Sequence, residues 1–203
     1  LYADDALVVV DKPAGLLAVP GRGEQRQDCV AARVQARFAD ALVVHRLDQA
    51  TSGLMVLARG AVAQRALSRA FAERRVAKGY TAIVGGRLAG TAGTIELPLA
   101  ADWPNRPRQR VDALRGKPST THWRVLRHDA AAGTTRVELE PHTGRSHQLR
   151  VHLLAIGHPI VGDALYAPPD LAAPRLMLHA SSLALPHPYD ARRRVSFSSF
   201  APF

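Results

Sequence analysis

Short runs of β-branched and aromatic residues follow one another along this chain, and few helix-like segments separate them. Apolar and polar residues alternate cleanly in "TTRVELE", and further strand candidates are "KGYTAIVGG", "GTIELPL" and "STTHWRVLR". Residues 7–10, "ALVVH", "RLMLHASSLAL" and "RRRVSFSSF" complete the set. Strands in runs, rather than in one-to-one alternation with helices, predict an α+β fold with a mixed, mostly antiparallel sheet.

Three segments predict helices that flank this sheet. Asp28 is placed to cap a helix that runs to about Phe38, and a second helix covers residues 60–76. The third is "GRSHQLRVHLLAIG", which ends at Gly157 before Pro159. Because the chain shows no internal repeat, low-complexity segment or linker, we expect one domain.

The low cysteine count and the absence of long apolar runs limit the cellular setting. One cysteine, Cys29, excludes an intrachain disulfide framework and suits a reducing compartment. No apolar run approaches the roughly 18 residues that cross a membrane, and no signal-peptide pattern opens the chain. We therefore expect a cytoplasmic protein without membrane contact. Separately, no protein partner is implied, and a monomer is expected.

The charge balance is strongly basic. Lys and Arg number 27 against 17 Asp and Glu, so the formal net charge is +10. Of these cations 24 are Arg, a preference that a GC-rich genome would explain, although it would not explain the net excess. A basic surface attracts phosphate backbones, and Arg also stacks on bases. The composition therefore favours a nucleic-acid partner.

Several familiar kinds of reactive site are not supported by the motifs. The spacing of His142, His147 and His152 lacks the cysteines or carboxylates of a zinc site, so no metal is expected. Ser52 and Ser146 lie in no Gly-x-Ser-x-Gly elbow, and "HRLD" lacks the other motifs of a protein kinase. A nucleotide hydrolase is disfavoured too, because there is no P-loop.

One basic cluster lies on the third predicted helix. Arg145, His147 and Arg150 fall in its first two turns after a glycine, which suits contact with phosphate. A solvated basic face explains the same residues equally well.

A second basic cluster is "DWPNRPRQRV". If the segment is extended, Arg106, Arg108 and Arg110 project on one side and suit an RNA backbone. Its prolines indicate a loop or an edge element, and a merely solvated loop fits nearly as well.

Five motifs in order resemble the RluA-type pseudouridine synthases. "HRLDQATSG" resembles the signature of this family, and "VVVDKPAGLLAVP" its N-terminal motif. The others are "VAKGY", "PHTGRSHQLRVHLLAIGHPIVGDALY" and "RLMLHASSL", so the resemblance extends from about Val8 to Leu183. It implies a single-domain pseudouridine synthase fold over residues 1–203, with a central catalytic cleft and no S4-like domain. It also implies no cofactor.

The resemblance assigns roles to the site residues. Asp48 is the implied catalytic aspartate, with Arg150 as the cation that keeps it ionised. Tyr80 is the implied active-site tyrosine, and Arg46 the residue that fills the space of a flipped-out base. The expected RNA-binding residues, from this resemblance and the basic clusters above, are Lys78, Arg106, Arg108, Arg110, Arg145 and His147.

Some neighbours of Asp48 have less definite roles. Thr51, Ser52 and Gly53 are expected to shape the loop rather than react, and His45 is either structural or RNA-facing. Gln49 stands where relatives often carry Arg or Met, which leaves the RNA target open.

Several segments are similar to the dual-specificity members of the family, among them "GLLAVPGR" and "GKPSTT". These members act on uridine 746 of 23S rRNA and uridine 32 of tRNA, so stem-loops of both RNAs are the expected partners. The same chemistry on another 23S rRNA uridine is an alternative. A non-catalytic RNA-binding protein or chaperone is another, although pure binding would need no Asp48.

Overall fold

The computed structural model describes all 203 residues, which cluster into two compact units. Unit 1 comprises Leu1–Lys78 and His179–Pro202, and unit 2 comprises Gly79–Leu178 with Phe203. The single domain over residues 1–203 and its central cleft stay predictions.

The elements are numbered along the chain. The strands are β1 (Tyr2–Ala3), β2 (Leu7–Lys12), β3 (Ala41–Val43), β4 (Ser52–Arg59), β5 (Ala77–Gly85), β6 (Ala92–Glu96), β7 (Leu99–Ala101), β8 (Gln109–Val111), β9 (Thr120–Asp129), β10 (Thr134–Pro141), β11 (Leu178–His187) and β12 (Asp190–Ser198). The helices are α1 (Val30–Gln35), α2 (Gly60–Ala72) and α3 (Gln148–Ala155). None of these helices has the length and apolarity needed to span a membrane.

In unit 1 the strands pair in the order β1-β2-β4-β11-β12, and β3 also pairs with β4. The β4–β11 pairing is parallel, and the others are antiparallel. β4 was not among the predicted strands. Its run "SGLMVLAR" is buried at nearly every position, so it lacks the alternation that marks a strand with one wet face.

The core of unit 1 lies between this sheet and α2. Alternate residues of β4, Leu54 and Val56, share the core cluster with Leu67 of α2. Leu183 and Leu185 of β11 belong to the same cluster. Each fully buried side chain of this size stabilises the fold by roughly 1.5–3 kcal/mol. Burial of Leu54 and Val56 therefore stabilises the position of β4 in the sheet.

In unit 2 four antiparallel strands pair in the order β5-β10-β9-β6, and β7 and β8 form a separate hairpin. The register of β10 on β9 shifts between Arg136 and Val137. A small core cluster of Leu99, Val151 and Tyr166 packs the hairpin against α3. The predicted α+β fold with a mixed, mostly antiparallel sheet is confirmed.

The helix boundaries differ from the predictions. The Cys29 sulfur, rather than Asp28, caps α1 by accepting the N–H of Ala32 at 3.4 Å. The Asp28 carboxylate instead pairs with Arg33 at 2.7 Å. The third helix begins at Gln148, three residues after Arg145, because His147 takes a left-handed φ of 53° at the N-cap.

Candidate active site

Asp48 lies in the loop that joins β3 to β4, within unit 1. Its side chain is half-buried, and that of Arg46, two residues earlier, is exposed. The N–H of Thr51 donates to the carbonyl of Asp48 at 3.1 Å, which closes a turn directly before β4. The loop thus carries an acid and a cation two residues apart, shortly before the buried strand β4.

A buried lysine stabilises the backbone beside Asp48. Lys12, at the end of β2, is only 1% exposed. Its ammonium donates to the carbonyls of Pro13 at 2.9 Å, Leu16 at 2.8 Å and Gln49 at 3.0 Å. A buried cation is tolerated only when its donors have partners, so this arrangement ties the loop to the chain after β2. Lys12 was not among the predicted site residues, although it lies in the "DKPAG" motif.

Gln49 adds a second tie between the same two segments. Its carbonyl accepts the N–H of Gly15 at 2.9 Å, and its amide Nε2 donates to the Gly15 carbonyl at 2.9 Å. Its Oε1 accepts from Arg26 at 3.2 Å. The residue that departs from the family pattern therefore has a structural use.

A row of hydrogen-bonded polar side chains begins at Ser52, the first residue of β4 after the loop. The Ser52 hydroxyl lies 2.8 Å from Nδ1 of His179, and Nε2 of His179 lies 3.1 Å from the Ser199 hydroxyl. Ser199 donates its one proton to Asp11, so it must accept from Nε2 of His179. In a neutral ring Nδ1 then accepts from Ser52. These hydrogen bonds join the start of β4 to the segment after β12.

His45 proves to be structural. Its Nε2 accepts the N–H of Val56 at 3.0 Å, and its ring stacks on Phe71 with centroids 4.7 Å apart. Burial, helped by the nearby charge of Lys78, lowers the pKa of His45 to about 4, so the ring is neutral at pH 7. Lys78 is half-buried itself, and burial lowers its pKa.

In unit 2 Arg150 is buried in α3 and forms a two-point ion pair with Asp163. The Arg150 Nε and Nη2 donate to the two carboxylate oxygens at 2.7 Å each. Oδ1 of Asp163 also accepts the N–H groups of Leu165 at 3.0 Å and Tyr166 at 3.3 Å. Asp163 was missed as a site residue, although it lies within the quoted "GDALY". The pairing of Arg150 with Asp48 stays a prediction.

Tyr166 brings several predicted residues of unit 2 together. Its hydroxyl accepts the N–H of Gln109 at 2.7 Å and lies 2.7 Å from Nδ1 of His147. The guanidinium carbons of Arg150 and Arg108 lie 5.0 and 5.7 Å from its ring centroid. Tyr166 was also missed, because nothing in the local sequence indicates contacts with two distant segments, residues 108–109 and 147–150.

The other predicted residues of unit 2 occupy separate positions. Tyr80 is half-buried on β5, opposite Leu139 of β10. Arg145 is exposed, and its N–H donates to Oε1 of Gln148 at 3.0 Å. Gln148 is buried and also accepts from the Thr143 hydroxyl at 2.8 Å, so it shapes the turn before α3.

The arginines of "DWPNRPRQRV" do not form one row, because only Gln109–Val111 is extended. The Arg106 guanidinium carbon lies 3.3 Å from the ring centroid of Trp103. Arg108 donates to the carbonyl of Leu165. Arg110 pairs with Asp112 at 3.1 Å. The structure thus gives the three arginines three different settings.

No group of three or more His, Cys, Asp or Glu side chains is arranged to bind a metal ion.

Comparisons with known proteins agree with the motifs. The family described as RNA pseudouridylate synthase matches residues 6–155. The chain is 52% identical over 190 residues to the dual-specificity RNA pseudouridine synthase RluA of Escherichia coli (strain K12), covering 93% of this chain and 86% of that protein. It is 53% identical over 190 residues to the protein of the same name from Yersinia pestis, covering 93% and 92%.

A solved structure shows the same fold. Human RNA pseudouridylate synthase domain containing 1 is 31% identical and superposes with a TM-score of 0.83, covering 100% of this chain and 82% of that one. The family match spans most of the chain and includes the Asp48 loop. The chain therefore belongs to the RluA family of RNA pseudouridine synthases, and it is an isomerase.

Proposed function

We propose that Asp48 is the catalytic carboxylate of this isomerase. The observation that carries the proposal is its half-buried position on a loop whose backbone is tied by Lys12 and Gln49. A reacting group must be held in a fixed geometry, and these ties limit the movement of the loop. The neighbouring exposed Arg46 adds a cation on the same loop.

The reaction defines what these groups must do. The bond between N1 of uracil and C1′ of the ribose breaks, the base turns, and a bond from C5 to C1′ forms. C5 then loses a proton and N1 gains one, so no net oxidation or reduction occurs. A carboxylate assists by attacking the sugar or the base, or by removing a sugar proton.

The remaining roles are those that the family resemblance implies for residues of this chain. Arg46 enters the RNA where the target base leaves the stack, since the base must be flipped out to react. Tyr80 stacks on the base and takes the C5 proton. Arg150 supplies the cation that the family resemblance pairs with Asp48, and the Asp163 carboxylate holds its guanidinium in place at 2.7 Å.

The proposed substrates are two RNA stem-loops, one around uridine 746 of 23S rRNA and one around uridine 32 in the anticodon loop of tRNA. The relatives above are named for dual specificity, and the net charge of +10 suits RNA. Loops suit this chemistry because their bases are already partly unstacked.

The first prediction concerns Asp48→Asn, which removes the carboxylate and keeps its shape. We expect pseudouridine formation to fall by at least about 10³-fold on both RNAs, with RNA affinity unchanged within about threefold. Tritium release from C5-labelled uridine measures turnover, and filter binding measures affinity.

The matched control is Asp5→Asn, which alters an exposed carboxylate in the turn between β1 and β2. Turnover by Asp48→Asn at the wild-type rate would refute the assigned role. Wild-type activity on neither RNA, with tight binding retained, would point to another 23S rRNA uridine.

A further inference from the structure

Trp103 is an exposed aromatic residue in the segment between β7 and β8. It remains 68% exposed, although a tryptophan buried in a core would contribute a large apolar area to stability. The exposed ring therefore contributes little to the folding of the hairpin, and its position suits recognition of a ligand.

One face of the Trp103 ring is already covered. The Arg106 guanidinium carbon lies 3.3 Å from the ring centroid, which is the distance of a stacked cation. Because the residue is still 68% exposed, its open area lies on the opposite face and the edges. The ring is therefore held as a flat platform with one free face.

The segment that carries the ring is internally tied. Backbone hydrogen bonds run from Asp102 to the Arg108 carbonyl at 3.0 Å and from Arg108 to the Asn105 carbonyl at 3.0 Å. The Tyr166 hydroxyl accepts the N–H of Gln109 at 2.7 Å, which anchors the segment to unit 2. A ring held in this way loses little conformational entropy when a flat partner stacks on it.

The surrounding charge indicates the class of partner. Residues 102–117 contain two acids, Asp102 and Asp112, and five cations, Arg106, Arg108, Arg110, Arg115 and Lys117. An apolar protein surface would have to desolvate these cations, whereas a nucleic acid places phosphates beside them. Stacking on an aromatic ring is also tolerant of base identity, which suits a protein that acts on two loops.

We propose that an unpaired nucleobase of the substrate RNA stacks on the free face of Trp103, opposite Arg106. The base is one other than the target uridine, because the exposed ring offers none of the shielding from water that the reaction requires. This inference rests on the proposed action on RNA loops and adds a contact that anchors the loop outside the reacting base.

The test begins with Trp123→Phe, which leaves Trp103 as the one remaining tryptophan of the two in the chain. An anticodon stem-loop should quench its fluorescence, and a fully paired duplex of equal length should not. A stem-loop with abasic loop positions should also fail to quench. Loops with exchanged bases outside the target position should quench equally well.

Measurements of RNA affinity and of turnover then distinguish a role of Trp103 in binding from a role in the chemical step. Trp103→Ala should weaken stem-loop binding about 5- to 100-fold, equivalent to roughly 1–3 kcal/mol. Its single-turnover rate at saturating RNA should stay within about threefold of wild type. The stem-loop affinity of Trp103→Phe, which has a smaller ring, should lie between those of wild type and Trp103→Ala. If Trp103→Ala fails to fold, Trp103→Phe and the fluorescence test still decide.

Three results would overturn the proposal: stem-loop affinity in Trp103→Ala within twofold of wild type, equal quenching by loop and duplex, or self-association that Trp103→Ala abolishes. The last would assign the ring to a second copy of the chain. Wild-type inactivity on both RNAs would instead refute the proposed targets, while loop-specific quenching would still support the platform.

Discussion

At the scale of single residues, buried charges in this protein come with their partners. Arg150 and Asp163 are both almost fully buried, and two hydrogen bonds of 2.7 Å join them. Two backbone N–H groups complete the coordination of the carboxylate. Such a pair holds the guanidinium in one orientation, since any rotation would leave a buried charge without a partner.

Asp163→Asn should therefore destabilise the protein strongly. Removing one member of a buried ion pair costs about 3–5 kcal/mol in unfolding free energy, because the other charge remains buried. Urea denaturation measures the loss, and turnover should fall with it, since Arg150 loses its orientation. Asp28→Asn is the control, because its pair with Arg33 is exposed and should contribute little. Equal stability of the two variants would contradict the assigned role of Asp163.

His45 should make stability depend on pH. Burial and the charge of Lys78 lower its pKa from 6.5 to about 4 in the folded protein. Between these values the unfolded chain binds more protons, so stability rises with pH across this window and falls as pH drops. The whole shift corresponds to a change on the order of 3 kcal/mol.

His45→Asn, which keeps an acceptor for the N–H of Val56, should flatten this dependence. Urea denaturation at several pH values between 4 and 7 gives the comparison. Burial also lowers the pKa of His152, so a smaller slope of the same sign should remain in both proteins. Parallel curves for wild type and variant would show that His45 does not titrate as described.

At the scale of elements, the parallel pairing of β4 with β11 depends on one glycine. Gly53 pairs with Ala180 in the parallel register and has a φ of +110°. A Cβ at this position would lie 2.3 Å from the Ala180 carbonyl oxygen, so the two strands could not approach as they do. Gly53 is the second residue of β4, directly after the Asp48 loop. Its pairing with Ala180 therefore fixes the point at which the chain enters the sheet after this loop.

Gly53→Ala should separate the two strands. We expect a loss of several kcal/mol in unfolding free energy or failure to fold, because both the positive φ and the backbone clash oppose a side chain. Gly60→Ala is the matched control: its φ is +72°, but nothing lies within 4 Å of the added Cβ. This control should lose only about 1–2 kcal/mol. Thermal melting distinguishes the two variants, and similar losses would show that the close approach is unimportant.

At the scale of the whole molecule, the predicted site residues fall in both compact units. Unit 1 contains Arg46, Asp48 and Lys78, and unit 2 contains Tyr80 and Arg150. The net charge of +10 belongs to the chain as a whole and suits a polyanionic substrate. The overall charge thus favours binding of RNA, whereas the proposed chemistry depends on a few positioned residues.

The sequence by itself determined the family, the α+β class and the antiparallel character of the sheet. Motif order and residue periodicity are local properties, so they are read directly from neighbouring letters. Strand β4 was missed for the same reason, because its burial on both faces removes the alternation that indicates a strand. The helix ends were misplaced by a few residues, since the left-handed backbone of His147 has no clear sequence signal.

Only the tertiary structure decided the partners of each polar group. The contacts of Lys12 with Gln49, Ser52 with His179 and Tyr166 with Gln109 join residues distant in sequence. The structural role of His45 likewise depends on the tertiary structure, because its ring accepts the N–H of Val56. Burial makes such pairings necessary, because a buried polar group needs a partner, while the packing of the chain determines which partner it meets.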